Sequence, residues 1–260
     1  VPDDNSVPTD AIYGFGPVLL PSGYLLYVRQ GGAGTLVALP VENGTLRPIG
    51  EPVQIGTNIR YGNSGPAQYV ATREGFVVMA STQGSGRLAF VARSRSGATD
   101  SLAFPPADYG TFELSPDGRR IAVTSYPING PADIWVFDIE KATSERVARD
   151  ASRPLWLPDG RSLLMTVLRD SLRLVRIPGS GSGTADTIKA IAGQTYAISP
   201  DGKLLLRSDS PESGFRIVRM DSINSNGVRV SGINTLTRFS PDGAWLAVTS
   251  LQAGRSEVYV

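Results

Sequence analysis

The sequence predicts an all-β chain, a β-propeller of six four-stranded blades. Three observations predict it: a turn motif that recurs six times, a nearly constant spacing between the copies, and strand-like stretches on both sides of each copy. No long stretch shows helical periodicity.

The copies read Leu20-Pro21-Ser22-Gly23, Thr72-Arg73-Glu74-Gly75, Ser115-Pro116-Asp117-Gly118, Leu157-Pro158-Asp159-Gly160, Ser199-Pro200-Asp201-Gly202 and Ser240-Pro241-Asp242-Gly243. Their glycines stand at 23, 75, 118, 160, 202 and 243, separated by 52, 43, 42, 42 and 41 residues. Pro-Asp-Gly is turn chemistry: Pro presets φ, Asp bonds a nearby backbone N–H, and Gly accepts positive φ. A turn residue recurs with the turn, whereas a catalytic or calcium-binding carboxylate is needed once. Asp117, Asp159, Asp201 and Asp242, with Gly118, Gly160, Gly202 and Gly243, are therefore structural. Ser22 and Glu74 replace the Asp in the first two copies, so those blades should diverge most.

Each turn is followed by a hydrophobic strand such as RRIAVTS or AWLAVTS. A third strand follows in DIWVFDIE (133–140), LRLVRIP (172–178), FRIVRMD (215–221) and SEVYV (256–260). A fourth is suggested by ERVARD (145–150), TIKAIAG (187–193) and GVRVSG (227–232). The whole of 1–260 is read as one domain, with blades near 11–58, 59–108, 109–150, 151–192, 193–232 and 233–260. The long first interval places a hairpin or surface loop in Gly50–Pro66, and Gly179–Gly183 reads as a flexible outer turn. The last blade stops after its third strand. Either a strand from the N-terminus, near Pro8–Tyr13, completes it, or the blade is cut and open-edged, and the sequence tips toward truncation.

Composition narrows the function classes. Hydrophobic residues at 41% and charged residues at 19% describe a folded domain. A net charge of +1 without a basic block argues against nucleic acid as a partner. The chain has no Cys and no His, which excludes thiol catalysis, Cys or His metal sites and a Ser-His-Asp relay within it. No metal and no cofactor is expected. No apolar run approaches the ~20 residues of a membrane span.

Propellers offer the mouth of the central channel as a binding place. Aligned on the turn, Arg153, Tyr196 and Arg238 break the blade-to-blade pattern there with groups that contact an anion or a ring, and they are the candidate ligand-binding residues. Trp135, Trp156 and Trp245 lie in strands and are expected to wedge between blades.

Trp156-Leu157-Pro158-Asp159-Gly160 and Phe239-Ser240-Pro241-Asp242-Gly243 resemble the TolB-like propeller repeat, whose hallmark is a W-S-P-D-G turn before a hydrophobic strand. The ordered set SGYLLYVRQ, GTLVALPVENGTLRPIGEPVQI, LSPDGRRIAVTS, DIWVFDIEKATSERVARD and FSPDGAWLAVTS…GRSEVYV is similar to the C-terminal propeller of certain bacterial serine/threonine protein kinases. That resemblance implies a sensor or interaction module outside the cytoplasmic membrane, binding a protein or small-molecule ligand. No kinase motif is present: no Gly-rich phosphate loop, His-Arg-Asp or Asp-Phe-Gly. The expectation is thus a chain that is not itself an enzyme. The alternatives are a propeller hydrolase or lyase using channel carboxylates, and a TolB-like envelope adaptor.

Overall fold

The computed structural model describes residues 12–29, 34–42, 45–59, 68–72, 75–83, 87–94, 96–127, 130–168, 172–181, 185–190, 194–208, 214–223, 225–231, 235–250 and 257–260. Blade one holds β1 (Ile12–Leu20), β2 (Tyr24–Arg29), β3 (Thr35–Pro40) and β4 (Val53–Gly56). Blade two holds β5 (Tyr69–Ala71), β6 (Val77–Gln83), β7 (Arg87–Arg93) and β8 (Thr99–Ser101). Blade three is β9 (Tyr109–Leu114), β10 (Arg120–Ser125), β11 (Asp133–Asp138) and β12 (Thr143–Ala148). Blade four is β13 (Ala151–Trp156), β14 (Ser162–Leu168), β15 (Leu172–Pro178) and β16 (Asp186–Ala190). Blade five is β17 (Thr195–Ile198), β18 (Leu204–Ser208), β19 (Phe215–Arg219) and β20 (Val228–Val230). Blade six begins with β21 (Thr235–Phe239), β22 (Leu246–Ser250) and β23 (Glu257–Tyr259).

Among the described residues every strand pairing is antiparallel between neighbours in sequence, with one exception that joins the first strand to the last. Ile12 and Tyr13, at the start of β1, pair with Val258 and Glu257 of β23. The same strand then pairs with β2 from Gly14 to Leu20. One strand thus gives blade six its fourth member and blade one its first, and the two blades form a single seven-stranded sheet. Where the sequence tipped toward an open last blade, this pairing covers its edge. Residues 8–11 of the candidate closing segment lie outside the described residues, as do 60–66 of the long first interval and 182–183 of the glycine-serine turn.

The second strand of a blade is buried on both faces, which is why it reads as a continuous apolar run rather than an alternation. In β10, Ile121 and Val123 pack against blade two, while Ala122 between them faces blade four. In β14, Leu163 and Met165 face blade three and Leu164 faces blade five. Among the described residues six hydrophobic clusters result, one for each pair of adjacent blades. The one between blades six and one brings Val258 onto Leu25, Tyr27, Val37, Leu39 and Val41.

The repeated turn is locked by its own side chains. Ser115 Oγ donates to Asp117 Oδ1 (2.5 Å) and accepts from the Arg120 amide (2.9 Å), while Asp117 Oδ1 also accepts from the Arg119 amide (3.1 Å). The Gly118 amide closes the turn onto the Ser115 carbonyl (2.8 Å), at a φ of 71° that glycine adopts freely. Ser199–Asp201 and Ser240–Asp242 repeat the arrangement. In blade four Leu157 stands in place of the serine, and Asp159 Oδ1 accepts from the amides of Arg161 (2.8 Å) and Ser162 (3.1 Å).

The tryptophans divide. Trp156 is buried between blades three and four, its Nε1 donating to the Glu113 carbonyl (3.3 Å). Trp135 is partly buried against the cluster of blades two and three. Trp245 is 40% exposed: it stands between the turn and β22, its amide donating to Ser240 Oγ (2.9 Å).

Candidate functional site

The innermost strands of the six blades line a central channel, and the sequence brings a local irregularity to one end of it. Pairing between first and second strands slips near the start of the inner strand in blades one, three, four, five and six. Such bulges re-aim a side chain. The residue at the slip in blade one is Gly16, at φ 62°, and its counterpart in blade four is Arg153, at φ 55°. Each donates its amide to a threonine of the preceding blade, Gly16 to Thr249 Oγ1 (3.3 Å) and Arg153 to Thr124 Oγ1 (3.2 Å). Arg153 therefore holds a left-handed conformation that favours glycine.

The mouth at this end is a cavity of about 40 Å3, lined by residues from all six blades, including Gly16, Gln68, Thr111, Arg153, Thr195, Tyr196 and Arg238. That is room for roughly three water molecules. The structure brings the three sequence-predicted candidates, Arg153, Tyr196 and Arg238, to this one cavity. The Arg153 guanidinium carbon lies 4.5 Å from the centroid of the Tyr196 ring, which in turn meets Phe215 edge-on at 4.8 Å. Arg238 reaches across the channel to Glu113, Nη1 to Oε2 at 3.1 Å. Blades three and six stand opposite each other, so this ion pair bridges the channel.

Below the bridge the channel widens toward the turn end into a cavity of about 410 Å3, rimmed by Pro21, Pro116, Pro158, Pro200 and Pro241. Glu113 and Arg238 border both cavities. Burial pushes the Glu113 carboxyl above its ordinary range, and Arg238 opposes the shift. Burial likewise raises the Tyr69 phenol, against the pull of Arg238. Its hydroxyl meets the carbonyls of Leu26 (3.0 Å) and Gly16.

Two buried polar atoms on residues that line the mouth, Gln68 Oε1 and Thr195 Oγ1, have no hydrogen-bond partner among the described residues. Gln68 spends its amide nitrogen on the Tyr109 carbonyl (3.2 Å). Glu113, Gln68 and Tyr69 were not singled out from the sequence. The available signal was positional: Glu113 occupies in blade three the column that Arg238 occupies in blade six.

The turn aspartates act within their own turns. Burial works to raise Asp117, but the bonds from Ser115 and the Arg119 amide outweigh it and hold the carboxyl below its ordinary value. The Ser199 and Ser240 hydroxyls depress Asp201 and Asp242 in the same way. Among the described residues no group of three or more Asp and Glu side chains is placed to hold a metal ion, and no helix is long and apolar enough to cross a membrane.

No family model matches the chain. A Bacillus subtilis (strain 168) protein named as an uncharacterized peptidase, YuxL, is 26% identical over 143 residues, covering 52% of this chain and 21% of that protein. The chain thus spans about a fifth of that relative's length. Among solved structures, TolB from Acinetobacter baumannii superposes with a TM-score of 0.65 at 15% identity, over 98% of this chain and 62% of that one. Pyrococcus horikoshii acylaminoacyl peptidase superposes with a TM-score of 0.62 at 12% identity, over 96% of this chain and 44% of that one.

These likenesses correct the expectation that the chain is not an enzyme. A relative by sequence and a neighbour by fold are both named peptidases, and most of each lies outside the matched propeller. The lack of Cys and His in these 260 residues therefore does not set this propeller apart from hydrolases. By fold, the chain is a TolB-like six-bladed β-propeller domain.

Proposed function

We propose that this propeller is a recognition domain that binds its ligand at the narrow mouth of the channel, through Arg153, Tyr196 and Arg238. The observation that carries the reading is their convergence on one cavity, with Arg153 kept on a left-handed backbone where blade one uses glycine. Non-glycine residues persist in such conformations where the surroundings over-determine them, and they cluster at ligand clamps. The order of segments along the chain supports a bacterial membrane serine/threonine kinase as the host, with the propeller as its extracytoplasmic sensor. The peptidase relative favours a second setting, in which the propeller accompanies a peptidase domain and selects what reaches it. Assays of the full-length protein for autophosphorylation and for peptide hydrolysis separate the two.

The binding reading is tested by thermal melts against a panel of anionic, neutral and aromatic small molecules. A ligand at a hundredfold excess over Kd stabilises the folded state by about 2.7 kcal/mol, a rise in Tm of roughly 5–10 °C. The rise should be saturable and absent from a variant carrying Arg153→Ala, Tyr196→Ala and Arg238→Ala that still melts cooperatively. A ligand that stabilises this variant as well as the parent places binding elsewhere and removes the reading.

A further inference from the structure

We infer that Thr124 is a positioning residue of the mouth: its hydroxyl, supported by Thr111, accepts the Arg153 amide and fixes the left-handed backbone that aims the Arg153 guanidinium at Tyr196. This rests on the reading of the mouth as the ligand site. Thr124 is 0% exposed, so it acts through Arg153 rather than by touching a ligand.

The repeat itself supplies the comparison. Threonine stands six residues after the turn glycine in blades three, four and six, as Thr124, Thr166 and Thr249, all buried. The corresponding residue of the next blade, seven before its own turn glycine, is Arg153, Thr195 or Gly16. Where the hydroxyl takes the amide, that residue is left-handed: Arg153 at φ 55° on Thr124, and Gly16 at φ 62° on Thr249. Where it does not, the backbone is ordinary. Thr166 Oγ1 has no hydrogen-bond partner among the described residues, and Thr195 is not left-handed. Bond and conformation therefore come together. Glycine adopts this conformation freely and has no side chain to aim. Arginine prefers the opposite sign of φ, so at Arg153 the bond has a preference to overcome and a long side chain to redirect. Pairing between β9 and β10 slips between Val123 and Ser125, which leaves Thr124 out of that ladder and beside Thr111, Oγ1 to Oγ1 at 3.0 Å. Whichever hydroxyl donates there, Thr124 Oγ1 keeps a lone pair for the Arg153 amide at 3.2 Å. The Tyr196 ring is itself held edge-on by Phe215, so the aimed guanidinium meets a fixed surface. The site gains a guanidinium already ordered before a ligand arrives, which removes an ordering cost from binding.

The test reads the Arg153 δ-methylene and Nε–H signals by NMR in the 260-residue chain, because the face of the Tyr196 ring displaces them upfield. Tyr196→Leu gives their unstacked positions. Thr124→Val keeps the shape of the side chain and removes the acceptor, and it should abolish at least half of the displacement. Thr124→Ser keeps the hydroxyl and should keep the displacement. Thr249→Val removes the equivalent bond from Gly16 and should leave the Arg153 signals in place, which separates positioning from the general loss of a buried hydrogen bond. If Thr124→Val does not fold, Thr124→Ala answers the same question. Full displacement retained without the Thr124 hydroxyl, its loss in Thr124→Ser, or an equal loss in Thr249→Val overturns the inference. None of these signals requires a ligand. A failure here therefore leaves the mouth as a site, and a failure of the melts with the triple variant leaves the hold of Thr124 on Arg153 intact.

Discussion

At Arg153 the backbone and the side chain make opposite demands. Left-handed φ costs a non-glycine residue about 1–2 kcal/mol, and the stacking on Tyr196 returns about 0.5–1 kcal/mol. Arg153→Ala gives up the stacking and keeps the strain. Arg153→Gly gives up both, at the further cost of a more flexible unfolded chain. The glycine variant should therefore be more stable than the alanine variant by roughly 0.5–1 kcal/mol, seen as a higher urea midpoint at an unchanged slope. Equal midpoints would mean the conformation is not strained. Arg153, Tyr196 and Arg238 were legible in the sequence because each breaks a column of the repeat. Glu113 was not chosen, since its meaning depends on facing Arg238 across a ring, and blades three apart are remote in sequence. Gln68 and Tyr69 precede a turn without Pro-Asp, so the column alignment did not extend to them.

The turn is the element in which the sequence spoke most clearly, because Ser, Asp and Gly each occupy a place the backbone requires. Outer strands spoke least. In β8 and β12 most or all residues are exposed, so they carry little of the hydrophobic signal that marks the buried second strands. The third and fourth strands of blades one and two went unassigned, although β3 is largely buried. The turn's chemistry also sets a pH dependence. A carboxyl whose folded pKa is depressed contributes stability above its ordinary value, and loses it as pH falls through the depressed one. Asp117, Asp201 and Asp242 are of this kind. Glu113 has the opposite sign: its raised folded pKa favours the folded state below the ordinary value, and that contribution fades as pH rises through the raised one. Asp117→Ala should lower Tm by about 2–4 °C at pH 7, and the gap from wild type should shrink steadily toward pH 2. A gap that stays constant over that range would show that the ionised carboxylate is not what holds the turn.

On the scale of the whole molecule, a ring is stable only if every interface is made, and the one between the first and last blades differs from the other five. Elsewhere the fourth strand of a blade runs on within the same chain segment into the first strand of the next, as β12 does into β13. Between blades six and one that role falls to β1, whose first residues pair with β23 while the remainder pairs with β2. The apolar contacts there bring Val258 onto Leu25 and Tyr27, so pairing and packing close the ring together. Removing residues 1–13 takes away the pairing and leaves β23 with unpaired N–H and C=O groups, an edge that invites association. The shortened chain should melt at a lower temperature over a broader range, and its sedimentation should become concentration-dependent. The channel should report the same loss, because β1 carries Gly16 to the mouth and touches the cavity where Arg153, Tyr196 and Arg238 meet. Ligand affinity should then fall together with cooperativity. A shortened chain that melts as sharply as the parent and stays monomeric would show that the contacts of Val258 hold the last blade without the strand.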